Sequence, residues 1–452
     1  MKKVISLVIL FALISSLAGC MLSCSLRHTG SLKIGALLPL TGPEAIDSDE
    51  VLDWARDNIN RNGGINNRQI ELVYKDTYEK DITQLAQEFI DDEAIKIVIG
   101  PGSSAEVYEI APMFIKNKKM LISPLSTAGD VFRAFGKKKF LGRTCQGNVA
   151  QIRTVLYLLS LRDVNKISLI YEHSVYGKTF FDWMGFFSME LGIELLNLVK
   201  FEPGQPDFSQ VVSQALEEEP EYIVCVAFAE DAVKIKKELD KTHSPAKLFF
   251  TDAAMTPYLI EELGEAAEGL EGTAPTADPA TGFDKIYETK FGYRPNDFAS
   301  TTYDAFLLAA YTLARQEYRG REPIEESFAN IVSGRGTKVG WDKANEAIDF
   351  ILQGELPDIS GASGPLEFDK EFGVGPLQTF YFHWRVEGGN FRTLETISSG
   401  ESLSAGILKE GASAYRTQAS KKYAELLKTG EISYIPQERQ DLWAIIIATS
   451  SG

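Results

Sequence analysis

The chain has 452 residues, 44% of them hydrophobic, 24% charged and 11% aromatic, an ordinary globular make-up that excludes disordered and fibrous classes. Its 63 acids outnumber 46 Lys and Arg, and a formal charge of −17 repels phosphate backbones, so nucleic acid is not an expected partner. Four cysteines are too few for a disulfide scaffold, and four scattered histidines offer no metal-ligand spacing.

The first elements concern address rather than fold. Met1-Lys2-Lys3 is a short positive start, and Val4 to Leu17 is apolar apart from serines, the length of a secretory leader and too short to span a bilayer. Leu17-Ala18-Gly19-Cys20 matches the lipobox of bacterial lipoproteins. That match implies removal of residues 1–19 and acylation of Cys20, with 20–31 as a polar tether on the outer side of a membrane; several acyl chains anchor firmly where one is marginal. Met21 lacks the aspartate of inner-membrane retention, which leaves the choice of membrane open.

From Leu32 strands and helices alternate. Lys33–Leu40, Gln69–Asp76, Lys96–Gly100 and Lys119–Ser123 read as strands; helices run to Asn62-Gly63-Gly64 and over Ile82–Asp91 and Ala105–Asn117. The pattern then restarts, with helices at Val149–Leu161, Gly177–Leu191, Phe208–Glu217 and Glu230–Lys241. Between them lie strands at Lys166–Tyr171, Glu194–Phe201, Tyr222–Ala227 and Lys247–Thr251. Strands that are continuously apolar predict parallel sheets covered on both faces. Two windings predict an α/β protein of two Rossmann-like lobes, and the later helices Phe298–Arg315 and Trp341–Gln353 must return to lobes already begun. The expected division is 32–145 with 276–352 in one lobe and 146–275 with 353–399 in the other, hinged around a cleft.

An enzyme has little to stand on. Gly100-Pro101-Gly102-Ser103-Ser104-Ala105 fits a dinucleotide fingerprint, but the next strand ends at Leu121-Ile122-Ser123-Pro124-Leu125-Ser126-Thr127, without the ribose-binding acid. No nucleophile elbow, phosphate loop or zinc-protease helix is present, and no cofactor is expected. The same two turns make an anion site: Ser104 opens a helix, Ser126 and Thr127 sit at the next strand end, and helix N–H groups favour a carboxylate. Ser103-x-x-Glu106 is also a capping box, so Ser103 can cap while Ser104 faces the cleft. In the second half Tyr176, Phe228 and Asp252 follow three strands. An acid there suits an ammonium group, although Asp252 also reads as a helix cap and Phe228 as core. Cys145 and Cys225 read as two buried thiols, with pairing in an oxidising compartment as the open alternative.

These stretches, with Leu40-Thr41-Gly42-Pro43, Asn62-Gly63-Gly64, Tyr176-Gly177-Lys178, Tyr303-Asp304-Ala305 and Gly364-Pro365-Leu366-Glu367-Phe368-Asp369, resemble the leucine/isoleucine/valine-binding family of ABC-transporter substrate-binding proteins. The resemblance runs over residues 32–398 in order and spacing. It implies a type I periplasmic binding fold, capture of a zwitterion such as an amino acid, delivery to an ABC permease, and no catalysis. Carried over, the carboxylate anchors fall on Ser104, Ser126 and Thr127, the aromatic walls on Tyr176 and Phe228, and the ammonium-binding acid nearest Asp252, where an ungapped alignment gives Ala253. The first pocket turn, Glu44 to Glu50, is acidic and lacks the aromatic of leucine binders, which opens polar or basic side chains. A ligand-sensing module regulating a partner or a lost C-terminal peptidase-like domain is the alternative.

Residues 400–452 exceed the family pattern. Ser404–Leu427 reads as a basic helix, and Asp441–Gly452 as an apolar strand similar to the opening strand of legumain-type, caspase-fold peptidases. Two readings stay open: the remnant of a further domain, or a segment docking on a lobe.

Overall fold

The computed structural model describes residues 30–398 apart from 136–138, 321, 369–374 and 377. The leader, Cys20 and the extension 400–452 with both of its readings lie outside the described residues.

Five parallel strands form the first sheet: β1 (Leu32–Leu38), β2 (Ile70–Asp76), β3 (Ile95–Ile99), β4 (Met120–Ser123) and β5 (Leu141–Arg143), in the order β2-β1-β3-β4-β5. β1 is apolar and buried on both faces because helices cover it twice over. On one side Ile34, Ala36 and Leu38 meet helices Ser48–Asn60 and Ala299–Arg319; on the other Leu37 meets helices Ile82–Asp91 and Ser104–Lys116.

The chain then crosses to a second sheet. Here β6 (Lys166–Glu172), β7 (Glu194–Phe201), β8 (Tyr222–Val226), β9 (Lys247–Phe250) and β10 (Glu271–Thr276) run parallel. It returns to the first lobe for helices Phe283–Phe291, Ala299–Arg319 and Ile324–Ile331 and the short parallel pair β11 (Thr337–Gly340) and β12 (Pro357–Ser360). A third crossing delivers β13 (Phe380–Glu387) and β14 (Asn390–Ser398), which extend the second sheet antiparallel to give β14-β13-β10-β9-β8-β6-β7. Ile359, Leu366 and Phe368 pack in the first core, which puts that third crossing beyond Phe368 instead of at residue 353.

Why the later helices go home is visible in their sequences. Ala299 to Arg315 is buried without interruption, so the helix has no solvent face over this length and must lie inside a lobe. Trp54 collects Phe283, Tyr287, Phe291, Tyr303 and Trp341 around its ring at centroid distances of 4.9–6.2 Å, which ties three returning segments to the first helix. The crossings are bonded to each other. Gln146 Nε2 donates to the Thr276 carbonyl at 3.1 Å, the Asp278 amide to the Ser363 carbonyl at 2.9 Å, and Tyr381 Oη to the Gly147 carbonyl at 2.8 Å. Two lobes joined by three adjacent strands of chain form a hinge, with the carboxyl ends of both sheets facing one cleft.

Most expected strands and helices appear within a residue or two of their expected ends. The helix expected from Trp341 begins as a single 3₁₀ turn and becomes α-helical at Ala344. Cys145 and Cys225 are free and buried, the favoured of the two sequence readings.

Candidate functional site

The cleft holds about 570 Å³ of unfilled space, partly open to solvent, with walls from the turns after β1, β3 and β4 in one lobe and β6, β8 and β9 in the other.

On the first lobe, the turn after β3 is set by Gly100. Its φ of +119° is one that L side chains rarely adopt, and a Cβ there would lie 1.9 Å from the Leu37 carbonyl oxygen. The chain therefore bends sharply into helix Ser104–Lys116. Ser103 caps that helix: its hydroxyl accepts from the Glu106 amide at 3.2 Å, and the Glu106 carboxylate accepts from the Ser103 amide at 2.9 Å. Capping by Ser103 releases Ser104. The Ser104 hydroxyl accepts from the Ala128 amide and from the Ser126 hydroxyl, both at 3.2 Å, and keeps its own O–H for the cleft. Ser126 stands one layer behind the wall, fully buried, while Thr127 reaches it. The Thr127 carbonyl accepts from the Asn148 amide at 3.0 Å and from Arg143 Nη1 at 3.1 Å, which fixes the turn to the first crossing. Behind it Cys145 donates to the Ser126 carbonyl, and burial pushes its thiol up to about 12, so it stays protonated.

On the second lobe, Ser174 caps helix Val175–Glu190 and turns Tyr176 into the cleft. Tyr176 Oη lies 2.9 Å from Asp252 Oδ1 and 2.8 Å from Thr251 Oγ1. A phenol has one proton; with Asp252 accepting it, the Thr251 hydroxyl donates to the phenol oxygen. Phe228, at the head of helix Ala229–Thr242, stacks obliquely on Tyr176 at 5.8 Å and lines the cleft half-buried. Asp252 opens a single 3₁₀ turn and is 6% exposed. Burial raises its carboxyl above the ordinary range, opposed by hydrogen bonds from Gln151 and Tyr176. Both Asp252 and Ala253 lie on the wall, so the shifted and the ungapped alignments converge on one turn.

Five of the six expected ligand contacts, Ser104, Thr127, Tyr176, Phe228 and Asp252, thus meet at one cleft, with Ser126 supporting Ser104. Sequence reasoning missed Asp297 and Phe298, which stand before helix Ala299–Arg319 and complete the wall. The Asn296 side chain accepts from the Phe298 amide at 2.9 Å and so does the turn-forming work expected of an aspartate there, which leaves Asp297 for the cleft. A polar residue more than the cap needs, directly before an apolar helix, was the available signal. Among the described residues no group of side chains could hold a metal ion and no helix is long and apolar enough to cross a membrane.

This fold and cleft are those of a type I periplasmic binding protein, and the chain belongs to the periplasmic binding protein family, whose family model matches residues 31–350. It is 26% identical over 339 residues to the Leu/Ile/Val-binding protein BraC3 of Rhizobium johnstonii, covering 74% of this chain and 90% of that one. It is 23% identical over 381 residues to the chemotactic signal transduction system substrate-binding protein BasB of Halobacterium salinarum, covering 81% and 90%. Among solved structures, the leucine-binding protein LivK of Thermotoga maritima superposes with a TM-score of 0.66 at 23% identity, over 81% of this chain and 98% of that one. LivJ of Streptococcus pneumoniae, in complex with isoleucine, superposes at 0.65 and 18%, over 81% and 99%. At these identities the structural matches establish the fold.

Proposed function

We propose that the protein is an extracytoplasmic capture subunit that closes its two lobes on an amino acid and delivers it to an ABC-type permease, held to a membrane through lipid on Cys20. One observation carries the reading: a hydroxyl-lined helix N-terminus in one lobe faces a tyrosine-held carboxylate in the other across a single cleft. An α-amino acid has the matching pair of charges, its carboxylate for Ser104, Thr127 and the helix amides, and its ammonium for Asp252. Relatives named as Leu/Ile/Val-binding proteins support the same class of ligand and a holding role. The leader and lipobox support the anchor. A sensing role is the second reading, favoured by the likeness to a chemotactic signal transduction binding protein.

The test is calorimetric titration of the purified protein, freed of co-purified ligand, with an amino-acid panel. The double variant Ser104→Ala with Thr127→Ala is expected to abolish binding while unfolding remains cooperative, because it removes both first-lobe hydroxyls. Undiminished binding in that variant would sink the carboxylate assignment.

A further inference from the structure

The cleft carries more negative charge than a neutral amino acid can answer. Asp252 and Asp297 are 6% and 7% exposed, both face the cavity, and neither has a cationic partner among the described residues. Asp252 receives neutral donors only, Tyr176 and Gln151, and Asp297 receives backbone amides. Glu44 joins them from the turn after β1. Burying a carboxylate without a countercharge is expensive, so Asp252 and Asp297, with the exposed Glu44 at the rim, leave the cavity electrostatically uncompensated. In that state burial pushes Asp297 well above the ordinary range, with the Asp252 charge adding to it. Glu44 is raised to about 7 by the crowding protein and by Glu106 and Glu230, although much of its surface stays open to solvent.

The ligand's own carboxylate, on the Ser104 side, adds a fourth negative group. One ammonium then leaves one of the two buried acids unanswered, and a second cationic group answers it. The remaining walls suit such a side chain: Ile46, Leu125 and Met255 are apolar, and the Phe228 and Phe298 rings offer methylene packing and π-faces.

We propose that the cleft is selective for an amino acid with a cationic side chain, whose two positive groups are shared between Asp252 and Asp297 while Glu44 closes the mouth over them. This rests on the amino-acid reading given above and specifies its substrate class. Asp297 and Glu44 are then the specificity-determining residues, and the acidic turn from Glu44 replaces the aromatic wall of leucine binders with charge.

The experiment is titration of the ligand-stripped protein with lysine, ornithine, arginine, leucine, glutamine and putrescine, in buffers of different ionisation enthalpy. Lysine, ornithine or arginine is expected to bind at least about 10-fold more tightly than leucine, the scale of one charged hydrogen-bonded contact. Because a bound cation competes with protons on raised carboxyls, its binding near pH 7 is expected to release protons. Asp297→Asn is expected to weaken the basic ligand at least about 10-fold and to bring its affinity towards that of leucine. If that variant does not fold, Glu44→Gln on its surface turn serves, with a smaller loss and less proton release. Leucine or glutamine binding as tightly as every basic amino acid would overturn the inference and leave the proposed function standing. Putrescine binding as tightly as lysine would overturn the amino-acid half of it. A folded, stripped protein that binds no amino acid would overturn the proposed function itself.

Discussion

At the scale of single residues, the second-lobe wall depends on Tyr176. Its hydroxyl is buried, gives its proton to Asp252 and accepts from Thr251, so the phenol joins the strand-end turn to helix Val175–Glu190. Tyr176→Phe keeps the ring stacked on Phe228 and deletes both bonds. The Asp252 carboxylate, already desolvated, then loses a donor. We expect a loss of about 1–3 kcal/mol of stability, read from urea unfolding, together with weaker binding of any ammonium-bearing ligand. A variant as stable as the parent would mean that water replaces the phenol and that Asp252 is less enclosed than its surroundings indicate.

At the scale of elements, the second lobe is tied together by one carboxylate. Glu271 on β10 takes Arg162 Nη1 at 2.7 Å from the end of helix Asn148–Ser160, and His383 Nε2 at 3.0 Å and Arg385 Nη2 at 3.1 Å from β13. Burial alone would raise its pKa, but the bonds from His383 and Arg162 prevail and hold it down at about 2. The sign follows: a carboxyl titrating lower in the folded than in the unfolded chain stabilises the fold above the unfolded value, and that stability is lost as pH falls towards 2. Glu271→Gln should therefore lower stability at neutral pH and flatten the acid limb of the melting curve between pH ~4.5 and ~2. A variant with an unchanged acid limb would show that other carboxylates carry the acid sensitivity. This network joins the first element after one crossing to the last pair of strands, so its loss loosens the antiparallel addition β13–β14 before the parallel core.

Across the whole molecule, acids of the two lobes face one another at the cleft mouth. Glu44 and Glu106 belong to the first lobe, and Glu172, Glu230 and Asp231 to the second, with Asp231 paired to Lys234 at 2.9 Å. Glu172, like Glu44, is raised to about 7, chiefly by burial and further by Glu44 and Asp231. A carboxyl raised in the folded state contributes stability that is present below its unfolded pKa and lost as pH rises through its folded one. Ligand-free protein is therefore expected to lose stability between pH ~4.5 and ~7, and to widen its cleft at low salt as these carboxyls ionise around pH ~7. Scattering should show a larger radius of gyration at the upper pH, and Glu44→Gln should reduce the change. Lys178 of the second lobe stands 3.7 Å from Asp130 of the first, a partly exposed pair across the lobes worth at most about 1 kcal/mol. A radius constant over that range would place the lobe equilibrium under the hinge alone.

The chain's own pattern determined the layers. Unbroken apolar strands such as that beginning at Leu32 demand cover on both faces, and a long apolar stretch such as that from Ala299 to Ala314 has to return to a core, so two α/β lobes were legible in the sequence. The serine-rich turns and Asp252 were legible because α/β folds place ligands at strand ends. Tertiary structure alone decided which polar residue touches the cleft and which supports it. Ser104 and Ser126 are alike in sequence, yet one faces the cavity and the other donates to it from behind, because Ser103 takes the cap and the close approach at Gly100 sets the turn. Asp297 was invisible for the same reason. An aspartate before a helix is an ordinary cap until Asn296 is seen to share that work, and only the chain's return across the hinge brings the Asp297 carboxylate to the same cavity as Asp252.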